Sequence, residues 1–411
     1  MDTQKSEQLF QRLAEVMPGA STRTVTHYDP FPIALERGQG CRLWDVDGNE
    51  YIDLLNNYTA LVHGHNHPAI VEALVRTAQG GFSAAVPAPI ALQGELASRI
   101  CERTPSIDSV RFTNSASEAV MMAVRVARAY TGKDDFIMPA NGYGGGWDQV
   151  LLAGTDEEHP EGAQGSVPAG IPKILTEVVH FVRFNDLGHL QQVLEEHGPT
   201  TAAILLEPIL GHTVVPGDPD FVRAALRLAH ENGALLILDE TITSRLYVGG
   251  WQAQHGIEAD ITTLGKTIGG GTPVGAFGGK EHLMRILDPR ADDALAAHGT
   301  MNGSPLCMAA GCASLDLLTQ EAIDRINGMG DFLTSELDVI GREAGVRVHN
   351  YGSLLQVMAP DILAFHRACL EEGLYIAPRG SMNLSTVMDE AVLEEVVEAW
   401  KRALQRVEWS D

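Results

Sequence analysis

Residues 233–271, GALLILDETITSRLYVGGWQAQHGIEADITTLGKTIGGG, decide how the chain is read. Leu235 to Leu238 form an unbroken apolar run too short for a helix, which predicts a strand buried on both faces of a parallel sheet. Such a strand presents Asp239 and Glu240 at its carboxyl end, where open α/β sheets bind ligands. Lys266 stands in opposite surroundings, a neutral stretch with Gly265 before it and Gly269, Gly270 and Gly271 after it. A lysine held there is partly desolvated, which lowers its pKa and frees the amine to attack a carbonyl carbon. Gly265-Lys266-Thr267 could also close a phosphate-binding P-loop, but that motif needs glycine where this chain has Asp260.

An amine and a carboxylate of this kind match the needs of pyridoxal phosphate. Its aldehyde requires a lysine, and its pyridine nitrogen requires a carboxylate to stay protonated as an electron sink. Lys266 suits the first role and Asp239 the second. Each has a plainer reading alone: a strand-end Asp caps a turn, and an isolated Lys is a solvated surface charge.

Three motifs then occur in order: ILDETITSR at 237–245, ITTLGKTIGGGTPVGAFGG at 261–279 and HGTMNGSPLCMAAG at 298–311. The series resembles the class III (subgroup II, fold type I) aminotransferases that use pyridoxal phosphate. The resemblance runs from about Thr22 to about Ser385, nearest the branch holding glutamate-1-semialdehyde aminomutase and the β-phenylalanine aminotransferases. It implies an α/β chain of fold type I, with a large cofactor-binding domain over residues 61–303 built on a mainly parallel seven-stranded sheet. Residues 1–60, a helix and hairpin, and residues 304–411 would make a smaller α+β domain. The alternation of strands and helices from Val110 to Gly279 independently predicts a mainly parallel sheet with right-handed crossovers.

Composition fits an ordinary α/β enzyme: 411 residues, 45% hydrophobic, with 42 Gly and 20 Pro. A formal net charge of -25 argues against nucleic acid as a partner, whose phosphates demand clustered Lys and Arg. Five scattered cysteines without a C-x-x-C pair read as reduced thiols rather than a disulfide framework or zinc cluster. The charged amino terminus is no signal peptide, and no run approaches the ~18 apolar residues of a membrane span, so a cytoplasmic enzyme is expected.

Along the chain, residues 5 to 17 carry an amphipathic helical pattern ended by Pro18-Gly19, and the alternation around Asp47-Gly48 predicts an antiparallel hairpin. His63, His65 and His67 raise the thought of a metal, but Gly64 and Pro68 make the stretch a loop entering a helix, so no metal is expected. Val110 to Phe112 reads as a strand turning at Asn114-Ser115-Ala116-Ser117 into a helix, where free N–H groups and the helix dipole can hold a phosphate. The same residues would serve equally as an ordinary helix cap. The apolar run TAAILL ends in Glu207, and the polar stretch 153–172 reads as a surface loop.

The resemblance adds roles residue by residue. Ser115, Ala116 and Ser117 match the phosphate turn, usually Ser-Gly-Thr in the family. Tyr143 matches an aromatic residue that stacks on the cofactor ring. Many relatives follow it with histidine, where this chain has Gly144. Glu207 matches a glutamate beside the ring, and Thr241 stands where the family usually has valine against the pyridine face. Thr300 matches a threonine that reaches the cofactor phosphate of the neighbouring subunit, which implies a homodimer with shared active sites. Arg23 and Arg379 match arginines that grip a substrate carboxylate, for which a guanidinium offers two parallel donors.

The function implied is an aminotransferase moving an amino group from an amino acid, such as a β-amino acid, to a keto acid such as 2-oxoglutarate. An intramolecular aminomutase or an epimerase using the same cofactor is the alternative. A third reading is an inactive binding protein of the same fold, against which the retention of both Asp239 and Lys266 speaks.

Overall fold

The computed structural model describes residues 1–81, 84–152, 167–292 and 294–409. Most of the expected surface loop at 153–172, namely residues 153–166, lies outside the described residues. The chain divides into two compact units, one made of Ala69–Gln320 and the other of Met1–Pro68 with Glu321–Asp411.

The first of these units is built on a seven-stranded sheet. Its strands are β1 (Ser109–Thr113), β2 (Asp135–Pro139), β3 (Val179–Val182), β4 (Thr201–Leu206), β5 (Leu235–Asp239), β6 (Ile261–Gly265) and β7 (Gly275–Gly279). Their spatial order is β1-β7-β6-β5-β4-β2-β3. Only β7 runs against the rest, pairing antiparallel with both β6 and β1. Every residue of β2, β4, β5 and β6 is buried, as continuous apolar strands covered on both faces must be.

Helix α1 (Ala91–Arg103), α2 (Ala116–Thr131), α3 (Leu187–His197), α4 (Pro219–Glu231) and α5 (Pro305–Leu317) accompany the sheet. Ser115, Asp186 and Asp218 each cap the helix that follows them by accepting a backbone N–H. Helix α5 was expected in the smaller domain from residue 304 onward, yet it belongs to this unit. The reason is packing: Cys307, Met308, Cys312 and Leu315 share one buried cluster with Leu96, Ile100, Leu264 and Ile268.

The other unit holds a four-stranded sheet of Leu35–Gln39, Arg42–Asp45, Glu50–Asp53 and Leu374–Tyr375, in that order. The expected hairpin is its second and third strands. Asp45 shapes the turn by accepting the N–H groups of Asp47 and Asn49, at 3.0 and 2.8 Å. A three-stranded antiparallel sheet, Arg347–Tyr351, Leu354–Met358 and Ser381–Asn383, packs in the same core as Leu333, Phe365 and Trp400. No helix among the described residues is long and apolar enough to cross a membrane.

Candidate active site

The parallel strands bring their carboxyl ends to one edge, and the acids follow from that. Asp239 ends β5 and pairs in register with Thr263 of β6, whose hydroxyl donates to Asp239 Oδ1 at 2.9 Å. The Thr241 N–H donates to the same oxygen at 3.0 Å. Burial pushes the Asp239 carboxyl upward from its usual value, opposed by these hydrogen bonds and by the charge of Lys266. The neighbouring Glu240 turns away: it accepts the N–H groups of Trp251 and Gln252, at 3.0 and 2.8 Å, and the Thr243 hydroxyl. Adjacent residues of an extended chain point to opposite faces, so one acid serves the edge and the other ties down a helix start.

Lys266 follows the last residue of β6 and has φ +50, in the left-handed region that side chains avoid. Such a residue stores on the order of 1–3 kcal/mol of strain, held here by the packed turn that follows. Its side chain keeps some solvent exposure, but the surrounding protein lowers the ammonium from 10.5 to about 8, against the pull of Asp239 and Glu207. Glu207 shows the mirror effect. Burial raises its carboxyl to about 8, although it accepts N–H groups from Tyr143 at 2.7 Å and Gly211 at 3.1 Å. Lysine and two acids thus share a weakly solvated edge, where burial favours the neutral form of each.

The turn before α2 reaches the same edge. A Cβ at Gly265 would stand 2.9 Å from Ala116 Cβ and 3.4 Å from Thr241 Cγ2, so glycine is what lets the turn, Thr241 and the end of β6 meet. Ser115 Oγ accepts the Glu118 N–H at 3.2 Å while Glu118 accepts the Asn114 N–H at 2.6 Å, a reciprocal cap. The N–H groups of Ala116 and Ser117 have no protein acceptor among the described residues. Ser117 Oγ accepts the Gly146 N–H at 3.0 Å, tying the segment after Tyr143 to this turn. The Thr241 hydroxyl is buried and makes no hydrogen bond of ordinary geometry with the described residues, yet it stands close enough to Asp239 to oppose the rise of that carboxyl.

Three further residues were expected at the site: Thr300, Arg23 and Arg379. Thr300 is exposed in a turn closed by the Asn302 N–H to Gly299 O bond. Arg23 and Arg379 belong to the other unit. There Arg23 lines a cavity of about 260 Å³ with Tyr28, Tyr58, His366 and Tyr375. Arg23 Nη1 donates to Asn57 Oδ1 at 3.0 Å, and the guanidinium lies 5.6 Å from the Tyr58 ring centre. Arg379 is exposed, yet its charge reaches the same phenol: burial raises the Tyr58 pKa and both arginines oppose the rise. Asn57 and Tyr58 went unnoticed in the sequence, although Asn56 to Thr59 all adopt positive φ and the Asn56-Asn57 pair is a residue type suited to it.

In the 63–67 loop His63 bonds to Thr386 Oγ1 at 2.9 Å and His65 to Asp53 Oδ2 at 2.7 Å, while the His67 ring packs edge-on to His63 with centroids 5.8 Å apart and its Nδ1 makes no hydrogen bond with the described residues. One other group, Asp135, His180 and His197, has ligand-type atoms within 4.8 Å of one another. Its two imidazoles stack 3.6 Å apart and 11° from parallel, so their in-plane lone pairs do not converge on a common ion.

The chain resembles known proteins over most of its length. The sequence profile described as aminotransferase class III matches residues 24–404. A β-phenylalanine transaminase of Variovorax paradoxus is 38% identical over 416 residues, covering 96% of this chain and 91% of its own. A glutamate-1-semialdehyde 2,1-aminomutase of Methanothrix thermoacetophila is 34% identical, covering 98% and 97%. The crystal structure of an omega-transaminase from Sphaerobacter thermophilus superposes with a TM-score of 0.92 at 34% identity, covering 97% of each chain.

Proposed function

The chain belongs to the class III aminotransferases, pyridoxal phosphate-dependent enzymes, and from that premise we propose that it transfers the amino group of an acidic substrate, such as a β-amino acid, to a keto acid such as 2-oxoglutarate. The observation that carries the reading is the shared edge of Lys266, Asp239 and Glu207, with the amine lowered and the acids raised by burial.

The residues present fit the cofactor. The N–H groups of Ala116 and Ser117 at the start of α2 suit its phosphate, Asp239 its pyridine nitrogen and Lys266 its aldehyde. When bound, pyridoxal phosphate supplies an aldehyde for the substrate amine and a ring that withdraws electrons from the carbon losing its proton. Asp239, fixed by Thr241 and Thr263, would present its carboxylate to the ring nitrogen and keep the proton there. Lys266, whose amine becomes mostly neutral only above about 8, would take a proton from the substrate carbon and pass it to the carbon that was the cofactor's aldehyde. Glu207 holds the Tyr143 backbone and so the aromatic wall. Arg23 and Arg379 are assigned to the substrate carboxylate, on the strength of the Arg23 guanidinium lining a cavity, where it donates to Asn57, and the shared reach of both to Tyr58. A homodimer, with Thr300 reaching the other subunit's phosphate, completes the reading.

The relative that is a glutamate-1-semialdehyde 2,1-aminomutase supports a second reading, internal transfer within one substrate. Purified enzyme given β-amino acids with and without 2-oxoglutarate distinguishes the two. Transamination requires the keto acid for sustained turnover; isomer formation without it sinks the proposal in favour of a mutase.

A further inference from the structure

We propose that His212 is a positioning residue for Tyr143, setting the angle of the aromatic wall at the cofactor site; the inference rests on the assignment of pyridoxal phosphate to Lys266 and Asp239. The backbone around Tyr143 is fixed at both ends. Its N–H donates to Glu207 Oε1 at 2.7 Å, and three residues on the Gly146 N–H donates to Ser117 Oγ at 3.0 Å. Trp147 Nε1 also donates to Gly144 O at 3.0 Å. None of these contacts holds the ring, which is 48% exposed and free to turn about its side-chain torsions unless something flanks it.

The residue after Tyr143 cannot supply that flank. A Cβ at Gly144 would stand 2.6 Å from Cγ1 of Val150, a side chain buried in the core and unable to retreat. The flank comes from another loop. His212 packs edge-on to the Tyr143 ring, with centroids 5.1 Å apart and planes at 84°. Glu207 brings the two loops together, because its second oxygen accepts the Gly211 N–H at 3.1 Å, one residue before His212. One buried carboxyl therefore places both partners of the aromatic pair, and His212 in turn fixes the ring plane that Tyr143 presents.

The phenol has a defined relation to the chemistry. Burial, together with the charges of Asp239 and Glu207, raises the Tyr143 pKa and keeps the ring neutral, as a stacking wall requires. His212 acts through the tyrosine ring.

The test uses the full-length enzyme loaded with pyridoxal phosphate, comparing wild type with His212→Ala, His212→Phe, Tyr143→Ala and the Tyr143→Ala/His212→Ala pair. The readouts are visible circular dichroism of the bound cofactor and its dissociation constant by equilibrium dialysis. An edge-on aromatic pair predicts roughly two- to tenfold weaker retention in His212→Ala and a reduced dichroic band, both restored by phenylalanine. In the Tyr143→Ala background the second substitution should add nothing, since a residue acting through Tyr143 has lost its object. Unchanged retention and dichroism in His212→Ala, no rescue by phenylalanine, or a full independent effect without Tyr143 would each overturn the proposal. If wild type itself takes up no cofactor, the cofactor assignment falls first and takes this inference with it.

Discussion

The edge of the seven-stranded sheet and the arginine cavity of the other unit solve different problems by different means. At the sheet edge the backbone does the placing: Asp239, Glu207 and Lys266 each follow directly from a strand end, and buried hydrogen bonds hold the acids. In the cavity a long side chain does it. Arg23 leans across Asn57 and Tyr58, carried on a left-handed turn that runs from Asn56 to Thr59. A reacting proton must travel a short, fixed distance, whereas a carboxylate needs only a cation within reach of a flexible stem. The first region should therefore tolerate no substitution at its reacting groups, and the second should lose affinity by degrees.

Lys266→Ala tests the stricter half. It removes both the amine that captures the cofactor aldehyde and the base that moves the proton, the latter alone contributing about 10²- to 10⁴-fold. Turnover should fall by several orders of magnitude, with the absorbance of covalently held cofactor gone. Capture of the aldehyde by wild type should also quicken as pH rises through about 8, where the amine becomes neutral. Near-normal turnover in the alanine variant would remove Lys266 from the mechanism and erase the contrast between the regions.

The same contrast explains what the sequence disclosed. Leu235–Leu238 announced a buried parallel strand because no other element accommodates four consecutive apolar residues before two acids. Lys266 was conspicuous as a cation in an apolar, glycine-rich setting. The distinct fates of Asp239 and Glu240 depend on where Trp251 and Gln252 fold back, eleven and twelve residues after Glu240, which no local pattern encodes. Asn57 and Tyr58 matter through Arg23, thirty-four residues before Asn57. His212 is legible only once Glu207 has drawn two loops together. Helix α5 has the composition of a core helix in either unit, and only its contacts with α1 and the Lys266 turn decide where it belongs.

Arg23→Ala and Arg379→Ala probe the looser half. A bidentate guanidinium restores hydration lost by a carboxylate through charge-assisted hydrogen bonds of about 1.5 to 3 kcal/mol each. KM for a β-amino acid should rise roughly tenfold or more, while the corresponding decarboxylated amine should be nearly unaffected. Lysine should not rescue, because an ammonium lacks the planar fork. If the ratio of kcat/KM for acid and amine stays the same in both variants, the cavity has no part in choosing an acid.

The smallest expected effect separates the two regions by the sign of their response to pH, measured as Tm of cofactor-stripped protein. Glu207 is raised from 4.5 to about 8, so between those values the folded state holds a proton that the unfolded chain has released. Stability from this group is present at low pH and is lost as pH rises. His366, in the cavity unit, is lowered from 6.5 to about 4 by burial beside Tyr28 and the Arg367 charge. Here the unfolded chain holds the extra proton, so the contribution is present above 6.5 and is lost as pH falls toward 4. From 6.5 to 7.5 only the Glu207 slope operates of the two, and Glu207→Gln should flatten a decline of a few degrees there, whatever its own Tm. Near pH 4.5 to 5.5 the two slopes oppose each other, and His366→Phe should leave the protein more resistant to acid. Because Asp239 and Glu240 are also raised by burial, part of the decline can persist in Glu207→Gln; a slope between 6.5 and 7.5 as steep as in wild type would show that Glu207 is ionised already and that its burial does not hold the proton.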